Sequence, residues 1–212
     1  MKHKIDPPKI ADNIALPPQQ VFSLQTKDEF SLCSINDQFI DSQEASKVSF
    51  EKVLFKNVTI TESSLSGIEL TDVIFERCDL SNVNFSDAFI HRTEFRNCKL
   101  MGTDFTRGRF QNVLITDCIG DYATFRFANF KQVAFEDSSL IGADYYQSVL
   151  SKISFNRCNL DQAMLSGTKL NGIDLSDCEF SGLNVEIEDL YGCIISAQQA
   201  ASFAGLLGLV IK

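Results

Sequence analysis

Tryptophan is absent from this 212-residue chain, and histidine (two), methionine (three) and proline (four) are scarce. His3 and His91 lie far apart and no Cys-x-x-Cys pair accompanies them, so a metal site finds no ligand set. There is no Ser/His/Asp arrangement and no phosphate-binding loop. The adjacent acids Glu136 and Asp137 read as a solvated corner, and His91 reads as a solvated side chain. Neither an enzyme nor a cofactor is expected. Positive charge is in the minority, with 19 Lys and Arg against 28 Asp and Glu, a net −9. Direct nucleic-acid binding needs a basic face and is not expected. The same balance suits a surface that competes with nucleic acid for a basic partner. No run reaches the roughly 18 apolar residues of a membrane span. Residues Met1 to Pro8 lack the apolar run of a secretory signal, so a cytoplasmic location is expected. Seven cysteines, an odd number and mostly evenly spaced, fit reduced, packed thiols better than a disulfide framework.

What is present in abundance is a period. From Phe50 onward, residues at every fifth position are large and apolar: Phe55, Ile60, Leu65, Leu70, Phe75, and so on to Ile195. Gly120 is the one clear break, and no insertion shifts the phase. Two residues before each large one stands a small or β-branched residue, such as Val73, Cys78, Val83, Ala88 and Thr93. The other three positions are mostly polar. A period of five matches neither the 3.6 of a helix nor the alternation of a flat strand. It matches a chain that turns a corner every five residues, with one large and one small residue pointing inward on each side. Gly120 then leaves either a cavity or an inward shift of the wall.

A second period counts the sides. Cys78, Cys98 and Cys118 are 20 residues apart, and Cys158 and Cys178 continue the series past Ser138. Twenty residues at five per side make four sides per coil, with the cysteines stacked one coil apart as a ladder of buried thiols. The Asn84-Phe85, Asp104-Phe105, Asn129-Phe130, Asp144-Tyr145 and Asp174-Leu175 pairs resemble the centre of the A(D/N)LXX consensus of the pentapeptide-repeat family. The resemblance covers roughly residues 48–195. It implies an all-β fold, a right-handed quadrilateral β-helix (a pentapeptide-repeat solenoid). At ~4.8 Å between neighbouring coils the repeats span roughly 35 Å.

Three segments are expected. Residues 1–26 carry all four prolines and form an N-terminal arm or cap. Residues 27–195 form the β-helix, with 27–47 an irregular first coil because Phe30, Ile35 and Ile40 hold the phase weakly. Residues 196–212 end it: a short capping α-helix, with Ser196 as N-cap and Gly208 as stop, then a strand over Leu209, Val210 and Ile211. Open coil ends are aggregation hazards, so a plug is required there. The tail resembles the C-terminal helix of family members that dimerise end to end. Phe203, Leu206 and Leu207 would carry such a homodimer contact, giving a rod of about 70 Å.

Taking the columns of Phe50, Phe55, Ile60 and Leu65 as faces one to four assigns every charge to a face. In residues 113–192, faces two and three carry Asp117, Asp121, Glu136, Asp137, Asp161, Asp174, Asp177 and Glu179 against Arg157 alone. In residues 53–102 the same faces balance: Glu62, Glu76, Asp79 and Glu94 against Lys56, Arg77, Arg96 and Lys99. A net −9 over roughly 35 Å is one charge per ~4 Å, against one per ~1.7 Å in duplex DNA, and the acidic faces come closer to that density. The chain resembles the loopless Qnr-type and mycobacterial-type members of the family. That resemblance implies a DNA mimic whose acidic faces occupy the basic DNA saddle of DNA gyrase or topoisomerase IV, inhibiting it or shielding it from quinolones. A structural or interaction scaffold with another partner is the competing reading, and ordinary solubilising charge would then explain the acidic faces.

Overall fold

A computed structural model describes residues 4–10, 16–207 and 210. Seven eight-residue strands follow one another: β1 (Glu29–Asn36), β2 (Ser49–Lys56), β3 (Glu69–Glu76), β4 (Phe89–Arg96), β5 (Arg109–Thr116), β6 (Asn129–Glu136) and β7 (Val149–Asn156). They form one parallel sheet in chain order, each residue paired with the one 20 positions on, as in Phe75 with Phe95. Each strand wraps faces one and two in a single stroke. Faces three and four are joined by single parallel bridges, one series running from Phe39 through Thr59, Asp79, Lys99, Ile119, Ser139 and Asn159 to Glu179. The architecture is the expected quadrilateral β-helix.

The corners explain the period. Every fifth residue from Lys27 to Gly172 has a left-handed φ, between 45° and 76°. Asn, Asp and Gly tolerate this region, but Arg92, Lys152, Tyr122 and Phe127 also adopt it. A left-handed residue costs roughly 1–2 kcal/mol, which the hydrogen bonds between coils offset. After faces three and four the corner is closed by a three-residue return bond. Thus Val83 N–H donates to the Leu80 carbonyl at 3.4 Å, and Ala88 N–H to that of Phe85 at 3.2 Å. A positive φ at the third residue of such a turn is the type II geometry.

Inside, the large residues stack by coil. Ring centroids are 5.2 Å apart between Phe105 and Phe125, 4.8 Å between Phe125 and Tyr145, and 5.2 Å between Phe135 and Phe155. The small inward positions hold the cysteine ladder, and all six members but Ser138 are free thiols. Burial pushes Cys158 up to about 11 and Cys178 up to about 12, so both stay protonated at neutral pH. Among the described residues no group of three His, Cys, Asp or Glu is placed to hold a metal ion. Gly120 leaves no open space at its inward position: a Cβ there would meet Leu140 Cδ2 of the next coil at 3.1 Å.

Both ends differ from the sequence expectation. The first coil is regular, since β1 pairs with β2 at seven positions and the left-handed corners begin at Lys27. Ahead of it, Pro18 bridges Ser34, and Val21 and Leu24 bury themselves while their N–H groups donate to Gln38 and Gln43 at 2.8 and 2.7 Å. At the far end the capping helix is a 3-10 helix, Gln199–Leu207, rather than an α-helix. Nine residues containing Gly205 are too few to set their own winding, so the end of the coil sets it. Ser196 does cap it: Gln199 N–H donates to Ser196 Oγ at 3.3 Å and Ser196 N–H to Gln199 Oε1 at 2.8 Å. Gln199 Nε2 also ties the plug to the Leu175 and Cys178 carbonyls at 2.8 and 2.7 Å. The expected stop at Gly208 and the strand over 209–211 fall outside the described residues, apart from Val210.

Candidate functional site

The eight acids expected to meet a partner spread over faces two and three, from Asp174 and Glu136 on face two to Asp121 and Asp161 beside the corner between faces three and four. Asp117, Asp137 and Asp177 are corner residues of one column, with Arg157 between the last two. Asp117, Asp137, Asp174, Asp177 and Glu179 are exposed, while Asp121, Glu136 and Asp161 are half-buried. Most are held in place by neighbours. Asp161 Oδ1 accepts from Ser181 Oγ at 2.6 Å and from Ser181 N–H at 2.8 Å. Asp121 Oδ1 accepts from Ser139 Oγ at 2.5 Å and from Ile141 N–H at 3.1 Å. Asp174 accepts from Ser176 N–H at 3.0 Å, and Glu136 from Asn156 Nδ2 at 3.2 Å. Hydrogen bonds from Ser181 and Ser176 hold the Asp161 and Asp174 carboxyls below the usual carboxylate range, so they are fully ionised at neutral pH. The array is thus a set of carboxylates at fixed positions: Asp117 and Asp137 stand one coil apart, near 5 Å by the ring stacks beneath them, and Asp121 and Asp161 two coils apart.

One cation is built into the array. Arg157 binds Asp137 through two bonds of 2.6 and 2.5 Å. The sequence placed both residues on these faces, but their pairing needs the 20-residue register. The structure also sets apolar side chains beside the acids. Met101, Ile119 and Tyr122 are exposed on face three, and the Tyr122 ring lies over Gly142, where a Cβ would meet its Cδ1 at 2.8 Å. Reading charge alone misses these residues.

The expected dimer residues separate. Phe203 is 9% exposed and packs edge-on against Phe180 at 5.8 Å, so it closes the core of its own chain. Leu206 is 38% exposed, and the side chain of Leu207 lies outside the described residues. Tyr191 (81% exposed) and Ile194 are further apolar residues on the outside of this end. His91 is half-buried rather than solvated. It contacts the Arg92 guanidinium through Nε2, and its Nδ1 is buried without a partner. Among the described residues, no helix is long and apolar enough to cross a membrane.

A family model for the pentapeptide repeat region matches residues 48–106 and 88–165. The protein YisX of Bacillus subtilis (strain 168), itself uncharacterised, is 35% identical over 184 residues, which is 87% of each chain. HetL, a pentapeptide-repeat protein involved in heterocyst differentiation regulation in the cyanobacterium Nostoc sp. strain PCC 7120, superposes with a TM-score of 0.56 at 15% identity over 82% of this chain and 92% of its own. That likeness shows the fold alone. A trypsin-treated form of QnrB1, a plasmid-mediated fluoroquinolone resistance protein, gives a TM-score of 0.39 at 18% identity over 89% and 99% of the two chains, too distant to bear on function. The four-sided coil, its unbroken five-residue phase and the matches to sequence and family agree, and the chain belongs to the pentapeptide-repeat family.

Proposed function

We propose that this is a non-catalytic, cytoplasmic DNA mimic that binds the basic DNA-binding surface of DNA gyrase or topoisomerase IV. Binding inhibits the enzyme and, where a quinolone is present, competes with formation of the drug-bound cleavage complex. The observation that carries the reading is the array of hydrogen-bonded carboxylates on two adjacent faces of the rod's C-terminal half. Phosphates of a duplex are likewise anions fixed on a rod, and a basic saddle gains affinity by releasing counterions from either. A homodimer through the C-terminal ends, with Leu206 in the contact, would bring two such arrays together at its centre. Phe203 acts there indirectly, by holding the plug in place.

A second reading is favoured by Met101, Ile119 and Tyr122. A duplex has no apolar wall beside its phosphates, and exposed apolar residues rimmed by charge mark protein–protein contacts. On this reading the chain is an interaction scaffold for a basic protein other than a topoisomerase.

A gyrase supercoiling titration, with and without a quinolone, tests the first reading. The comparison variant carries Asp137→Asn, Asp161→Asn, Asp174→Asn and Asp177→Asn. Inhibition or rescue by the wild type that disappears in the variant supports the mimic. Inactivity of the folded wild type at micromolar concentration moves the assignment to the scaffold.

A further inference from the structure

Residues 4–10 do not cap the coil. They run along its flank, over the corner between faces one and two, where Asp72, Arg92, Asn112 and Gln132 stack in four successive coils. The arm meets three of them through its main chain. Lys9 N–H donates to Asp72 Oδ1 at 2.8 Å, Asp6 N–H donates to Asn112 Oδ1 at 3.3 Å, and Gln132 Nε2 donates to the Lys4 carbonyl at 3.1 Å. Arg92 fixes Asp72 with bonds of 2.5 and 2.8 Å. The register is geometric. Five residues of extended chain at ~3.1–3.3 Å each cover about the same distance as three coil steps of ~4.8 Å. The arm therefore runs opposite to the direction of coil growth, in step with the ladder.

The ladder exists without the arm. Asp72 and Asn112 are corner residues of the coil itself, with φ of 58° and 55°, and Arg92 of the next coil holds the Asp72 carboxylate. The arm adds nothing to the core, because none of residues 4–10 is buried; Ile5, Pro8 and Ile10 are half-buried and the rest exposed. Three main-chain hydrogen bonds against the ordering of seven residues is a near-balanced exchange. The corner also has a charge preference: Lys52, Arg92 and Lys152 share its column with Asp72 alone, and Asp6 lies close enough to Arg92 to favour its charged form.

We infer that the Asp72–Gln132 corner is a docking groove for an extended peptide and that residues 4–10 are a displaceable strap filling it in cis. The ligand class is an extended segment with two main-chain N–H groups three residues apart, a carbonyl two residues before the first, and an acidic side chain near Arg92. The groove reads backbone rather than most side chains. It lies one corner away from the acidic array, so its occupancy is separable from topoisomerase binding.

The test uses the full chain carrying Asp6→Pro and Lys9→Pro, which removes both main-chain donors and frees the groove. A fluorescent peptide of residues 1–12 is titrated into it and into the wild type. The expected result is saturable binding to the double-proline chain, about tenfold or more tighter than to the wild type, where the strap competes. Adding Asn112→Gly and Gln132→Gly, which keep the left-handed corners, should abolish that binding at an unchanged unfolding midpoint. Absence of binding to the folded double-proline chain, or binding indifferent to the glycine pair, overturns the groove. Hydrogen exchange on the wild type gives an independent check. The Asp6 and Lys9 amides should exchange by local opening, far faster than those of β6, and exchange only with global unfolding would show that the strap is not displaceable.

Discussion

Faces two and three are built from the same repeat in both halves of the rod, yet they manage charge in opposite ways. In the N-terminal half every cation on these faces is spent on an acid of the same faces. Lys56 and Arg77 approach Glu76 at 3.6 and 2.6 Å, Lys99 approaches Asp79 at 3.4 Å, and Arg96 binds Glu94 at 2.7 Å. In the C-terminal half Arg157 alone is available, and hydroxyl and amide donors hold Asp121, Glu136, Asp161 and Asp174 instead. An ion pair cancels a charge, whereas a serine hydroxyl fixes it and leaves it in place. The coil is indifferent to the difference, because the charged positions point away from the core that holds it together. Surface function and fold are thereby decoupled, and one half of the rod can be a neutral spacer while the other presents a field.

The comparison can be broken in several places. The core should not distinguish the halves. Phe105→Ala and Phe135→Ala should each cost about 3–5 kcal/mol, read as a fall in the chemical unfolding midpoint, because both rings are fully buried in a continuous stack. An unchanged midpoint in either would contradict the inward assignment. Ion pairs should distinguish the regions. Arg92→Met takes the guanidinium from Asp72, which is 2% exposed and keeps the Lys9 N–H, and should cost about 2–3 kcal/mol, somewhat below the ~3–5 of a fully buried pair. Arg157→Met breaks an exposed pair and should leave the unfolding midpoint close to that of the wild type. It should also strengthen any topoisomerase inhibition, since it removes the array's one cation. Equal losses of stability would erase the contrast.

Smaller effects sharpen it. The Tyr145 hydroxyl is buried without a hydrogen-bond partner. Tyr145→Phe should therefore raise stability by about 1–2 kcal/mol, and a fall in thermal midpoint would mean that the hydroxyl is satisfied. His91 gives a pH signature to the N-terminal half. Burial, and then the Arg92 charge, hold its proton affinity below the ordinary value of about 6.5. The unfolded chain takes up a proton there that the native chain refuses. His91 should thus contribute stability above pH 6.5 that is lost as the pH falls below it, and His91→Gln should flatten the decline between pH 7.5 and 5.5.

Much of this was legible because burial in the coil is periodic. One large residue per five had to point inward, and the 20-residue recurrence of Cys78, Cys98 and Cys118 required four sides. The acidic faces followed from the same arithmetic. The corners were not legible. Left-handed φ at Arg92, Tyr122 and Phe127 contradicts the local preference of those residues, and only the bonds between coils impose it. Nor did composition show that Phe203 would turn into the core against Phe180, or that the capping helix would wind as a 3-10 helix.

The side length, the number of sides, the inward set and the face on which each charge stands depend only on position within a short repeat, and so can be read from the chain's order of residues. Tertiary structure alone decided which acids are cancelled, which are merely held, and where the first residues lie. Arg157 meets Asp137 only across a wound coil, and Lys9 and Lys4 reach Asp72 and Gln132 across 63 and 128 positions of chain. Contacts between residues that far apart carry no local signal. They come into being only when the stacked coils have turned a repeat into a surface.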